Sequence, residues 1–147
     1  MKISYHTERV KMPPIFRREV SEWLQCVALS YGYSVGSLNY IFCDDKKILD
    51  VNIEFLGHNY YTDIITFDYS GAGVVNGDMY ISLETVRSNS TIFKTTYESE
   101  LLRVIVHGLL HLCGINDKGI GERKVMEAAE ERALLLLEGK KIFKKIV

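Results

Sequence analysis

The order in which strand and helix patterns occur along the chain limits its fold more than any other feature. Segments rich in branched and aromatic residues fall mainly in the first half of the sequence, whereas apolar residues recur at helical spacing from Glu84 onward. Strands followed by a run of helices are typical of an α+β fold. We therefore expect a small mixed β-sheet of about four strands that is covered by helices.

The individual elements are predicted from local signals. Branched and aromatic residues predict strands at 1–6, 37–43, 63–69 and 78–83, and the glycine-containing segment between the last two predicts a hairpin. Prolines at a helix start, acidic N-caps and helical spacing predict helices from Pro13-Pro14 to Gly32, from Asp44-Asp45 to about Phe55, and over 84–93, 97–113 and about 120–138.

Length and composition predict one domain over residues 1–147. The chain has 147 residues, of which 47% are hydrophobic and 25% charged, values that are ordinary for a globular protein. The longest apolar run, 133–137, is far shorter than the roughly 20 residues of a membrane helix. The first residues lack the apolar stretch of a secretory signal. We expect a cytoplasmic protein that does not enter a membrane.

Cysteines and charge give little indication of a partner. Cys26, Cys43 and Cys113 are widely spaced and form no CxxC motif, so we expect reduced thiols and no cysteine zinc site. The net charge is −1, so any affinity for nucleic acid would need a local basic patch. One basic segment lies near the end of the chain and contains Lys140, Lys141, Lys144 and Lys145.

A histidine pair carries the clearest chemical signal. His107 and His111 lie four residues apart in an almost entirely apolar segment, so a helix places both imidazoles on one face. Gly114 permits a left-handed turn that ends the helix and folds Asp117 back toward the same point. Two imidazoles and one carboxylate with an open position are typical of catalytic zinc. We predict one Zn²⁺ per chain at the end of a central helix.

A histidine pair at helical spacing also has a simpler interpretation, namely ordinary packing or surface histidines. Unpaired polar groups in an apolar helix are costly, and the following glycine and acidic residue strengthen the metal hypothesis. Position 108 is glycine, so the HExxH motif of zinc proteases, with its glutamate base, is absent.

The segment that contains the two histidines, HGLLHLCGINDK, resembles the HGxLHLxGYDH signature of the YbeY family of bacterial metallo-endoribonucleases. Two further blocks occur in the family's order. Val51-Asn52, Gly57 and the segment 62–67 resemble LNxxYRGKDxxTDVLSF, and the segment 77–82 resembles GDIxIS. Together the blocks cover roughly the central half of the chain.

The resemblance implies a single-strand-specific, zinc-dependent endoribonuclease. It further implies maturation of the 16S rRNA 3′ end, ribosome quality control, and single-stranded rRNA and ribosomal particles as partners, with no DNA. Phosphodiester hydrolysis would use a metal-bound water, because zinc lowers the pKa of its water and polarises phosphate.

Five positions depart from the family pattern, among them Ile115 and Asn116, which occupy the places of the family's tyrosine and aspartate. Asp117 replaces the usual third histidine, Leu56 replaces an arginine, and His58 replaces a lysine. Arg103 lies one helical turn before His107 and is a candidate catalytic cation, although it could equally pair with Glu100 or face solvent. His58 is a candidate for binding substrate.

Two alternative functions stay open. The missing arginine and tyrosine are compatible with a non-catalytic, ribosome-associated factor whose metal only fixes the helix end. A metal-dependent hydrolase of another substrate class is the second alternative. A deep apolar pocket beside the metal would favour that second alternative, whereas a shallow basic channel would favour RNA.

Overall fold

The computed structural model describes residues 2–144 and contains one four-stranded mixed sheet. Its strands lie in the order β1-β2-β4-β3, where β2 is parallel to β1 and β4, and β3 is antiparallel to β4. The expected α+β fold and the hairpin are therefore confirmed. The strands are β1 (Lys2–Thr7), β2 (Ser34–Cys43), β3 (Ile64–Asp68) and β4 (Val74–Ser82).

Five helices accompany the sheet: α1 (Arg17–Ser30), α2 (Asp45–Leu56), α3 (Leu83–Ile92), α4 (Tyr97–Leu112) and α5 (Glu122–Leu135). The starts of α1, β2 and β4 differ from the prediction by three or more residues, and β2 begins at Ser34 instead of Ser37. The first helix begins after the prolines, because Ile15 pairs with Phe143 in an isolated β-bridge and the chain there is extended. β4 begins at Val74 because the hairpin turn is tight, with Gly71 and Val74 exchanging backbone hydrogen bonds.

The helices cover both faces of the sheet and create two apolar clusters. The larger cluster lies between the sheet and α1, α4 and α5, and it includes Trp23, Tyr40, Met79 and Ile105. The smaller one lies under α2 and comprises Cys43, Ile48, Val51 and Ile65. Because ten of its residues are buried, α4 is the central helix of the fold.

Gly108 brings α4 into close contact with the sheet. A Cβ atom at this position would lie 2.8 Å from Met79 Cγ and 3.0 Å from Ile64 Cδ1. These distances are too short for normal packing, so any larger residue would push the helix away from β3 and β4. The glycine therefore sets the position of the helix between His107 and His111.

The end of the described chain is partly exposed. Lys140, Lys141 and Lys144 face solvent, whereas Lys145, the last member of the basic segment, lies outside the described residues. None of the helices within residues 2–144 is long and apolar enough to cross a membrane.

Candidate metal centre

Local signals at both ends of α4 place its histidines beside Asp117. At the start, the Thr96 side chain accepts a hydrogen bond from the Ser99 backbone N–H at 3.0 Å, which caps the helix. At the end, Gly114 has a φ of 90° and its N–H donates to the His111 carbonyl at 3.0 Å. Since this left-handed residue reverses the chain, the following loop runs back along the last turns of α4.

Asp117 bridges the two imidazoles. Its Oδ2 lies 3.3 Å from His107 Nε2, and its Oδ1 lies 3.4 Å from His111 Nε2. The ligand atoms of the three residues lie within 4.8 Å of one another. The three predicted ligands therefore come together in a single cluster.

The donor set fits a zinc ion. A tetrahedral zinc with ligands at about 2.0–2.1 Å separates neighbouring ligand atoms by about 3.3–3.4 Å, as do the two contacts of Asp117. In addition, Asp117 Oδ1 is buried and accepts no hydrogen bond, and it is the one such side-chain atom within residues 2–144. A buried carboxylate oxygen without a donor is costly unless a cation neutralises it.

Glu130 on α5 orients the His107 ring. Its Oε2 lies 2.6 Å from His107 Nδ1, and the residue is only 6% exposed. The other oxygen, Oε1, accepts a hydrogen bond from Arg103 Nη1 at 2.9 Å. Metal-binding histidines commonly hold their second nitrogen against a carboxylate in this way, which fixes the ring and raises its basicity.

The two imidazoles differ in their proton affinity. Burial disfavours the charged form of His107, but the hydrogen bond and charge of Glu130, with the charge of Asp117, outweigh it and raise the pKa above 6.5. Burial lowers the pKa of His111, and the neighbouring His107 lowers it further. A proton is therefore held less tightly at His111 than at His107, where a metal ion competes with it.

The cluster opens into a cleft of about 440 Å³. Its walls include the loop after α2, the start of β3 and the loop that carries Asp117. Asp63 also lines the cleft, and burial raises the pKa of its carboxyl while the charge of His107 opposes that rise. Lys118 is the only lysine or arginine among the described residues that line this cleft.

The two tentative cations differ in location. His58 lines the same cleft as the metal cluster. Arg103 lines a second cleft, which also includes His107 and Asp117. Its guanidinium is held by Glu130 and Glu131 of α5 and not by Glu100.

Glu130 is not among the site residues predicted from the sequence. A signal was present, since Glu130 follows Met126 by four residues and precedes Ala133 by three, so it shares their buried helix face. An ionisable residue on such a face needs a partner. The partner itself, His107, lies on another helix, so no local pattern indicates it.

Comparison with known proteins gives a consistent result over nearly the whole chain. The sequence model of the family described as Endoribonuclease YbeY matches residues 2–138. A curated relative of that name from Bacteroides fragilis is 58% identical, and the match covers 92% of this chain and 98% of the relative. Another, from Phocaeicola vulgatus, is 59% identical, and the match again covers 92% of this chain and 98% of the relative. The solution structure of a Thermotoga maritima protein is 25% identical, with a TM-score of 0.65 over 95% of this chain and 91% of the other. The resemblance in the histidine segment is thereby confirmed, and the chain belongs to the YbeY family.

Proposed function

We propose that this chain is a single-domain, zinc-dependent endoribonuclease, spanning residues 1–147, that hydrolyses single-stranded RNA in rRNA processing. Family membership supports the endoribonuclease activity. The observation that carries the metal dependence is the buried Asp117 oxygen, which lacks a hydrogen bond and lies 3.4 Å from His111 Nε2. Such an arrangement is favourable when a cation lies between the carboxylate and the imidazoles.

Three residues would hold the ion: His107 and His111 through Nε2, and Asp117 through its carboxylate. A bound zinc ion would lower the pKa of a water molecule and polarise the phosphate to be cleaved. The negative charge of Asp117 reduces the net positive charge at the site, compared with a third neutral histidine. The open cleft leaves one side of the cluster accessible to solvent and substrate.

The remaining residues of the centre position these ligands. Glu130 holds the His107 ring so that Nε2 faces Asp117, and Arg103 holds Glu130. The catalytic role considered for Arg103 stays a prediction. Its two ion pairs with Glu130 and Glu131 favour a positioning role over direct contact with phosphate.

The open, polar cleft argues against a small apolar substrate, although its lining, with Lys118 but also Asp63 and Asp68, is not the basic channel expected for RNA. The cluster lies in a cleft that is open to solvent and lined largely by polar side chains, and it is not a deep apolar pocket. The family relationship supports ribosomal RNA as the substrate, including the 16S rRNA 3′ end and ribosomal particles in the cytoplasm. This support comes from the resemblance and not from the geometry of the site.

The direct test is metal analysis combined with cleavage of a single-stranded RNA and of the same RNA in a duplex. We expect about one zinc per chain in the wild type, and loss of both metal and cleavage in His111→Ala. The matched control is His6→Ala, which removes an exposed histidine on β1. Unchanged cleavage by His111→Ala would contradict the proposal. Stoichiometric metal without turnover, with a lower melting temperature after chelation, would establish the non-catalytic, ribosome-associated alternative.

A further inference from the structure

The loop that follows α2 contains aromatic residues where a cation would be expected to bind RNA. Residues 56–61 read Leu-Gly-His-Asn-Tyr-Tyr and include no lysine or arginine. Three aromatic or heteroaromatic rings occur in this short segment, at His58, Tyr60 and Tyr61, and all three residues are exposed. The loop therefore presents ring faces to solvent instead of positive charge.

Two of these rings form an ordered pair at the metal cleft. The His58 and Tyr60 rings stack with centroids 5.2 Å apart and planes inclined by 18°. The Tyr60 hydroxyl and His58 Nδ1 lie 3.0 Å apart and form a hydrogen bond. Both residues line the cleft that contains His107, His111 and Asp117. The pair is therefore part of the same accessible surface as the metal cluster.

A buried residue of α2 anchors the loop that carries this pair. Asn52 is 2% exposed, and its side-chain amide donates to the Tyr60 carbonyl at 2.9 Å. The His58 N–H donates to the Asn52 carbonyl at 3.1 Å. Gly57 ends α2 with a φ of 67°, which turns the chain into the cleft wall. These contacts hold the two rings in place before a ligand binds, which reduces the entropy lost on binding.

We propose that the His58–Tyr60 pair is a stacking platform for a nucleobase of single-stranded RNA next to the phosphate that is cleaved. This inference rests on the proposed function and specifies how the substrate is held. An aromatic face accepts any base, so the platform adds affinity with little sequence preference. Bases within a duplex are already stacked on their neighbours, so only an unpaired strand reaches the platform. The platform thus gives a structural reason for single-strand specificity.

The test compares two substitutions of the exposed Tyr60. Tyr60→Leu removes the aromatic face, and we expect the Kd for a single-stranded RNA and the KM for its cleavage to rise on the order of tenfold, with little change in kcat. Tyr60→Phe keeps the ring and is expected to stay near the wild type. The control is Tyr69→Leu, since Tyr69 is also exposed but does not line the cleft. An unchanged Kd and KM for Tyr60→Leu would overturn the platform.

A second measurement changes the RNA and includes an arm on the wild type alone. Abasic residues placed on either side of the cleavage position should weaken binding to the wild type at one of those positions. The same replacement should have little further effect on Tyr60→Leu, because the stacking partner is already missing. An equal loss of affinity in the wild type and in Tyr60→Leu would overturn the proposal.

Salt dependence separates stacking from phosphate contacts. Replacing Lys118 with alanine should reduce the slope of log Kd against log salt by about 0.7 if it contacts one phosphate, whereas Tyr60→Leu should leave the slope unchanged. A reduced slope for Tyr60→Leu would argue against stacking.

Binding measured by fluorescence anisotropy is independent of turnover, which keeps the two proposals distinguishable. Cleavage that does not depend on Tyr60 would overturn the platform alone. Tyr60-dependent binding without cleavage would support the platform and overturn the endoribonuclease proposal. A wild type that neither binds nor cleaves single-stranded RNA would overturn both.

Discussion

His107 Nδ1 lies 2.6 Å from Glu130 Oε2, although the two residues belong to different helices. The contact directs the other ring nitrogen, Nε2, toward Asp117 at 3.3 Å. α5 contributes no atom to the three-residue cluster, yet it sets the orientation of one of its members. The orientation of His107 in the candidate metal centre therefore depends on how α5 packs against α4.

The first prediction concerns this contact. Glu130→Gln removes the charge behind His107 and is expected to weaken zinc binding by about 10–100-fold, as is usual when a carboxylate behind a metal ligand is lost. Competition with a zinc-binding dye at fixed pH measures the affinity. Glu131→Gln is the control, because Glu131 is exposed and forms its ion pair with Arg103. Equal zinc affinity in Glu130→Gln and the wild type would show that the contact does not serve the metal.

The second prediction concerns the close contact at Gly108. Gly108→Ala places a Cβ atom 2.8 Å from Met79 Cγ, so we expect a loss of about 1–3 kcal/mol in the free energy of unfolding. Urea denaturation monitored by circular dichroism measures it. Gly71→Ala is the control, since a Cβ there meets no atom within 4 Å and the backbone is not left-handed. Similar urea midpoints for Gly108→Ala and Gly71→Ala would contradict the close packing inferred at Gly108.

A third prediction concerns acid stability at the start of α2. The Asp44 side chain accepts a hydrogen bond from the Lys47 N–H at 2.8 Å. This bond is the largest cause of a lowered pKa, to which the charge of Arg9 also contributes. Because the folded-state pKa is below that of the unfolded chain, the ionised carboxylate stabilises the fold above the unfolded pKa of about 3.9. That contribution disappears as the pH falls through the lower, folded-state pKa.

The corresponding measurement is urea unfolding of Asp44→Asn and Asp44→Ala as a function of pH. The difference in unfolding free energy between wild type and Asp44→Asn should be largest at neutral pH and should decrease in acid. Asp44→Ala also loses the cap, at a cost of about 0.5–2 kcal/mol. Asp50→Asn, at an exposed position of the same helix, serves as control. If the stability difference between the wild type and Asp44→Asn grew toward low pH, it would contradict a lowered pKa of Asp44 in the folded state.

The fourth prediction concerns the cysteines, all of which are free thiols. Burial raises the pKa of the Cys43 thiol to about 12 and that of Cys113 to about 11, whereas Cys26 is exposed. Since the thiolate is the reactive form, a thiol reagent at neutral pH should modify Cys26 alone in the native protein. Mass spectrometry of native and denatured samples identifies the modified positions. Rapid labelling of Cys113 under native conditions would contradict its burial beside the metal loop.

The sequence predicts the local part of the site well and the long-range part poorly. His107, His111, Gly114 and Asp117 lie within one short segment, so helical spacing and a left-handed turn suffice to bring the side chains together. Glu130 comes from another helix, and the periodicity of α5 shows only that the residue is buried. Helical spacing likewise places Arg103 on the face of His107 but does not reveal its carboxylate partners.

The same division applies to the fold. The strands and their hairpin follow from local composition and turn residues, which act over a few positions. The strand order does not, because the parallel pairing of β2 with both β1 and β4 depends on how α1, α2 and α4 pack across the sheet. Periodicity indicates which face of a strand is buried, but it carries no information about which strand lies alongside.

The missing side chain at Gly108 also has an evolutionary consequence. In zinc peptidases of the HExxH type, the residue after the first histidine supplies the base, and here that position faces Met79 and Ile64 of the sheet with no space for a Cβ atom. Acquiring a glutamate there would require the helix to detach from its neighbours and carry both imidazoles with it. Replacing Gly108 with glutamate alone would therefore not be enough to give this fold the base of an HExxH peptidase.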